Sequence, residues 1–143
     1  MMLKSEKGQG TVELAITFTV LVILVFGIVD FGYAFYSKLT MEHSSREGAR
    51  AGSLGSDDAD IKSVVEDSLV GLLPEGSNID EYVTIQYVNS DGDVYDETED
   101  TVKYVEVIID YDYKYFTPLL ALIGSALDED TLSLNSSTQM RVE

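Results

Sequence analysis

Glu13 stands at the edge of residues 14–29, a run without one charged side chain. A lone ionised carboxylate against lipid costs on the order of 2–3 kcal/mol on insertion scales. It is tolerated at headgroup level, or where a cation meets it. No Lys or Arg lies between Lys7 and Lys38, so the chain offers no cation at helical spacing. A new α-amino group, made by cutting the chain nearby, would serve.

The other chemistry-bearing residues form no catalytic set. His43 is the sole histidine and there is no cysteine, which excludes disulfides and thiolate metal sites. His43 reads as an exposed helix residue. Asn89, Asp91 and Asp93 hold positions 1, 3 and 5 of an EF-hand loop, but position 6 needs glycine and is Val94. The segment 89–100 therefore reads as an Asp-Gly turn or a mobile acidic loop, not a calcium site. No P-loop, dinucleotide fingerprint or supported Ser/His/Asp set is present. The expectation is a protein that is not an enzyme and needs no metal or cofactor.

The elements around these residues follow from periodicity. Sixteen helical residues, 14–29, reach about 24 Å, short of a ~30 Å hydrocarbon core. Phe31, Tyr33, Ala34, Phe35 and Tyr36 extend the run with aromatics suited to a membrane interface. A helix from about Gly10 to about Gly52 is expected, with Glu42 and Arg46 at i,i+4 and Glu47 and Arg50 at i,i+3. A secretory signal peptide is the rival reading. Its small-residue cleavage site should follow the apolar run closely. Ala49-Arg50-Ala51 fits that pattern but lies twenty residues beyond Val29.

Downstream, Ser56 or Asp57 caps an amphipathic helix carrying Ile61, Val64, Val65, Leu69 and Leu72, expected to reach about Leu73 and to stop at Pro74-Glu75-Gly76. Three strands follow: Val83, Ile85 and Tyr87; Val105 to Tyr115, with Ile108 breaking its polar face; and Leu132, Leu134, Met140 and Val142 on one parity. The Tyr111, Tyr113, Tyr115 stripe reads as a continuation of the core rather than a binding face. Thr117 and Pro118 open a short helix closed by Gly124. The fold class is α+β: a long N-terminal membrane-spanning helix, then a small domain with an amphipathic helix and a three-stranded (or larger) antiparallel sheet.

Charge is segregated along the chain. Residues 1–53 hold five acids and five bases, whereas residues 54–143 hold 21 acids and four bases, the whole formal net of -17. Such a field repels nucleic acid and keeps the domain soluble, with salt- or cation-rich surroundings as the sharper reading. Lys4 and Lys7 precede the span with only Glu6 against them, which places the N-terminus in the cytoplasm and the acidic domain outside.

Gly8-Gln9-Gly10-Thr11-Val12-Glu13 resembles the type IV prepilin processing site, in which a short basic leader ends in Gly and Glu stands fifth in the mature chain. Gly27-Ile28-Val29-Asp30-Phe31-Gly32 with Arg46-Glu47-Gly48-Ala49-Arg50 narrows the resemblance to the TadE-like pseudopilins of the tight-adherence (Flp) pilus system. The "FTPLLALIG" and "STQMRVE" segments are also similar. The resemblance implies a leader at 1–8, cleavage between Gly8 and Gln9, an assembly helix at 9–53 and an extracytoplasmic domain at 54–143. It implies Glu13 as the assembly residue. Asp30, Arg46, Glu47 and Arg50 are candidate interaction residues, with Arg46 to Arg50 otherwise a solvated helix face or a contact with its own domain. The implied partners are a prepilin peptidase, other pilins and pseudopilins, the pilus assembly machinery and membrane lipid, with incorporation into an extracellular pilus as one end point. The alternative from the residues alone is an uncleaved, membrane-anchored extracytoplasmic binding domain.

Overall fold

A computed structural model describes residues 5–74, 76–93, 103–127 and 131–143. Residues 1–4 of the expected leader and the acidic segment from residue 94 lie outside these. The element order is α1 (Ser5–Ser53), α2 (Asp58–Ser68), β1 (Val83–Val88), β2 (Tyr104–Lys114), α3 (Pro118–Leu127) and β3 (Thr131–Arg141). This is the expected α+β class, with the three strands in the order β1-β2-β3.

Two compact units divide the chain. One holds the described residues up to Ala34 together with those of 114–132; the other holds residues 35–113 and 133–143. α1 runs through the boundary. It begins at Ser5 rather than near Gly10, so Gly8 and Gly10 both lie inside it.

In the second unit the C-terminal part of α1 and helix α2 cover one face of the sheet. The core comprises Met41 and Ala49 of α1, Ile61 and Val65 of α2, Leu69 and Leu72 beyond it, and Val83, Val105, Val107 and Ile109 of the strands. β1 and β2 pair antiparallel, Val83 opposite Ile109 and Val88 opposite Tyr104. Odd-numbered residues of β2 point inward. Tyr113 is buried and Tyr111 packs against the core, so the tyrosine stripe does continue it. Even-numbered residues face out, where acids meet neutral donors. Ser137 donates to Glu106 at 2.6 Å, Asn135 to Asp110 at 2.5 Å and Ser133 to Asp112 at 2.7 Å.

The buried face of α1 reads Ser37, Met41, Ser44, Ser45, Gly48, Ala49 and Gly52. The steps of three and four make one helical stripe. Met41 apart, its residues are small because the neighbours come close. A Cβ on Gly48 would lie 2.5 Å from a Val65 methyl, and one on Gly52 would lie 2.8 Å from a Val105 methyl. Ser45 fills the rest of the seam by hydrogen bonding Ser136 at 3.1 Å and Thr138 at 2.8 Å. Lys38 donates to the Asn135 carbonyl.

Three expectations need correction. α2 ends at Ser68, not Leu73, because Gly71 takes a φ of +86° and turns the chain before Pro74 is reached. Its cap is as expected, with the Asp57 carboxylate accepting from the Asp60 N–H at 2.8 Å. Glu42 pairs with Lys38, one turn before it, at 3.9 Å rather than with Arg46. α3 runs through Gly124, which is buried, to Leu127. An interior glycine costs ~1 kcal/mol of helix propensity but need not end a helix.

Two predictions follow from this packing. Val65 is β-branched and stiff at χ1, so it gives way poorly. Gly48→Val should destabilise the domain by ~1–3 kcal/mol, read as a lowered unfolding midpoint. Gly32→Val, at a position with nothing within 4 Å of a Cβ, should not. The second concerns Tyr87 of β1, whose hydroxyl donates to Asp58 at 3.0 Å. Burial, then that hydrogen bond and the charges of Asp58 and Asp57, raise its pKa above the ordinary 10.0. A group raised in the folded state contributes fully below its unfolded value, and that contribution is lost as pH climbs through the folded one. Above pH ~10 the wild type should lose stability with pH more steeply than Tyr87→Phe. Equal slopes in denaturant titrations across that range would refute the assignment.

Candidate functional site: the apolar flank of α1 and the Asp30 clamp

The N-terminal part of α1 buries almost nothing in its own chain. Leu14 is 70% exposed, Phe18 63% and Ile28 64%. α1 is long and apolar enough to cross a membrane, and none of its apolar window is buried within the protein. Thr19 returns its hydroxyl to the Ala15 carbonyl at 2.8 Å, which satisfies the one polar atom of that side chain without water. Both observations fit a single-pass membrane anchor.

Gly8, Gln9 and Glu13 all lie exposed on this flank. No described side chain gives Glu13 a hydrogen bond or ion pair. A Cβ at Gly8 or Gly10 would meet nothing within 4 Å. These glycines differ in kind from Gly48 and Gly52, since no packing among the described residues explains them.

Asp30 is the opposite case. It is 2% exposed, although it sits where the apolar run ends. Its carboxylate accepts from the Phe116 N–H at 2.7 Å, from the Thr117 N–H at 3.1 Å, and from the Thr117 hydroxyl. Thr117 is the residue whose carbonyl takes the first hydrogen bond of α3, from the Ala121 N–H. Asp30 thus holds the start of α3 against α1, and the helix N-terminus in turn favours the anion. One turn on, the Tyr33 ring stacks on Phe116 with centroids 5.9 Å apart. Sequence reasoning marked Asp30 but missed Thr117 as its partner. The available signal was the need of any carboxylate at the end of an apolar helix for donors.

Covering Asp30 changes the reach of the span. The 24 residues 14–37 carry no charge but Asp30. With that charge enclosed, the uncharged surface extends to about 36 Å, against a core of ~30 Å. The interfacial aromatics Phe31 and Tyr33 fall within it.

The remaining marked residues scatter. Arg46 and Arg50 are exposed and Glu47 is half-buried, while Gly48 and Ala49 between them are buried in the core seam. Two of the five residues of the Arg-Glu-Gly-Ala-Arg segment are therefore structural. In the acidic loop, the Asn89 side chain accepts from the Asp91 and Asp93 N–H groups, each at 2.9 Å, and Gly92 turns at a φ of +87°. Asn89 closes the turn rather than offering its oxygen outward.

Residues 8–50 match the family model of the TadE-like proteins. The match covers the exposed apolar flank, Asp30 and most of the packing stripe, and stops before α2. It is consistent with a TadE-like protein of the tight-adherence pilus system, and so with a pilus-related membrane protein. No curated protein and no solved structure matches the chain.

Replacing Asp30 tests the clamp. Asp30→Ala strands two N–H groups and a hydroxyl, each costing ~1–3 kcal/mol when buried without an acceptor. Amide exchange at Phe116 and Thr117 should quicken by about tenfold to a hundredfold, at ~1.4 kcal/mol per decade. Asp30→Asn, which keeps one acceptor oxygen, should fall between. Unchanged exchange at both amides in Asp30→Ala would show that other contacts hold α3.

Proposed function

We propose that this chain is a pilin-like structural subunit, a pseudopilin, that acts in the assembly of a tight-adherence-type pilus. In this reading a prepilin peptidase cuts between Gly8 and Gln9 on the cytoplasmic side, and the acidic domain lies outside the membrane. The role is structural rather than enzymatic. Its partners are other pilins and pseudopilins, the assembly machinery and lipid.

The observation that carries the reading is the match of residues 8–50 to the TadE-like family, on a segment whose exposed carboxylate has no partner among the described side chains. A newly made amine on Gln9 would supply that partner in a neighbouring subunit. Pairing offsets the cost of placing both charges among apolar helices. The open space around Gly8 and Gly10 supports the cut site, because a glycine not needed for packing is free to serve access. Cleavage requires the first turns of α1 to unwind, and two glycines within three residues lower the cost of that.

Processing and assembly should respond to Glu13 separately. Glu13→Ala should be cleaved largely as wild type, since the scissile bond lies five residues away. It should fail to assemble, because the buried amine would lack a counter-charge at ~3–5 kcal/mol. Glu13→Asp should be intermediate, and Glu13→Gln should fail with Ala if charge rather than shape is decisive. Gly8→Val should block cleavage. The readouts are an immunoblot for leader removal and co-purification of the mature subunit with the pilus machinery. Normal incorporation of Glu13→Gln would overturn the amine–carboxylate account, and normal cleavage of Gly8→Val would overturn the cut site.

A further inference from the structure

We infer that α3 is a second membrane-contacting element, lying in the outer boundary of the bilayer beside the helix that crosses it. Residues 115–127 are thirteen consecutive residues without a charge. They belong to a stretch, 54–143, that otherwise carries 25 charges. α3 itself reads Pro-Leu-Leu-Ala-Leu-Ile-Gly-Ser-Ala-Leu. Its Ala121, Leu122 and Ala126 are exposed, Leu122 to 68%, and Phe116 just before it to 69%. A helix this apolar belongs in a core, yet its described side chains, Gly124 apart, face outward.

What covers it is indicated by where it is held. The Asp30 carboxylate and the Tyr33 ring tie Phe116 and Thr117 to the turn of α1 that follows the uncharged run 14–29, within the last part of the 14–37 surface. Ile28, Phe31, Phe116 and Leu122 are thus exposed apolar residues of one compact unit. The surface of α1 that meets hydrocarbon is continuous in kind with that of α3. Membrane-surface helices sink their apolar face some 5–10 Å into the headgroup and acyl boundary. α3 has no basic residue, so apolar area and not headgroup charge must hold it there. The occupant of this face is therefore the acyl boundary of neutral lipid, and anionic lipid should not strengthen the contact. The inference rests on α1 crossing the membrane, but not on cleavage or pilus assembly.

The chain has no tryptophan, so single Trp substitutions in the full chain report without background. Leu122→Trp, Phe116→Trp and Phe18→Trp would each be placed in vesicles of brominated or plain phosphatidylcholine. Brominated lipid should remove most of the Leu122→Trp and Phe116→Trp emission, and aqueous iodide should quench them little. Phe18→Trp should be quenched by bromine and untouched by iodide. Leu122→Cys, the sole thiol of its chain, should react with a water-soluble maleimide much more slowly in vesicles than after detergent and denaturant. Adding anionic lipid should change none of these readings. Bromine quenching at Phe18→Trp but not at Leu122→Trp would overturn the α3 inference alone. No quenching at either would overturn it together with the membrane reading of α1. Blue-shifted Leu122→Trp emission that resists both quenchers would mean that another protein surface covers α3, and would also overturn it.

Discussion

One helix has to satisfy two solvents, and the rest of the chain is arranged around that constraint. The first part of α1 exposes Leu14, Ile16, Phe18, Val20, Leu21 and Ile23 all round, which suits a surrounding as apolar as the side chains. From Ser37 onward the same helix must seat itself in a water-soluble domain. There its inward face becomes serine, glycine and alanine, so that α2 and the sheet can approach closely. The change of side-chain size along α1 therefore records a change of neighbour, from lipid tails that conform to any shape to a packed interior that does not. The three buried serines are compatible with the second neighbour because their hydroxyls find partners. Ser44 bonds the Thr40 carbonyl, and Ser45 bonds β3.

Asp30 lies between these two regimes. A charge at the end of an apolar span must be moved to water or enclosed with donors. Here the donors come from the turn that starts α3, more than eighty residues away in sequence. The cost of enclosing the charge is offset by the backbone N–H groups of Phe116 and Thr117, just before the first turn of α3, and by the Thr117 hydroxyl. The same interaction fixes where an otherwise unanchored apolar helix begins. A local electrostatic requirement of α1 thus becomes a tertiary constraint on α3.

The parts of this arrangement that were legible in the sequence are those written by periodicity. α1, the three strands, the Asp57 cap and the inward tyrosines all follow from patterns of two or of three and four. Backbone chemistry misled where two signals competed. Pro74 is the stronger helix breaker, but Gly71 comes first and takes a left-handed φ. Gly124 is a glycine that a helix simply includes. Glu42 had a cation on either side at i,i±4, and spacing alone does not choose between Lys38 and Arg46. The stripe Ser37, Ser44, Ser45, Gly48, Ala49, Gly52 was hidden because a search for apolar periodicity discards small polar residues. What it leaves visible are the exposed arginines, so the Arg46–Arg50 segment reads as a solvated helix face or a contact with its own domain, with an interaction patch as the alternative. The Asp30–Thr117 pairing was beyond reach for another reason. A lone carboxylate announces that it needs donors but not from where.

The acidity of residues 54–143 bears on which surface can meet lipid. Glu106, Asp110 and Asp112 on the outer sheet face are met by Gln86, Ser137, Asn135 and Ser133, all neutral donors. Neutral donors satisfy the oxygens but leave the charge uncompensated. These carboxylates continue to demand water. The few bases do little to change this: Lys62 is taken by Asp80 at 2.5 Å, and Lys103 lies 4.1 Å over the Tyr87 ring. A surface of this kind resists both dehydration and anionic headgroups. Residues 115–127 are the longest uncharged stretch of 54–143. The chain ties the start of that stretch to α1 through Asp30, the one acid among the described residues whose side chain is buried.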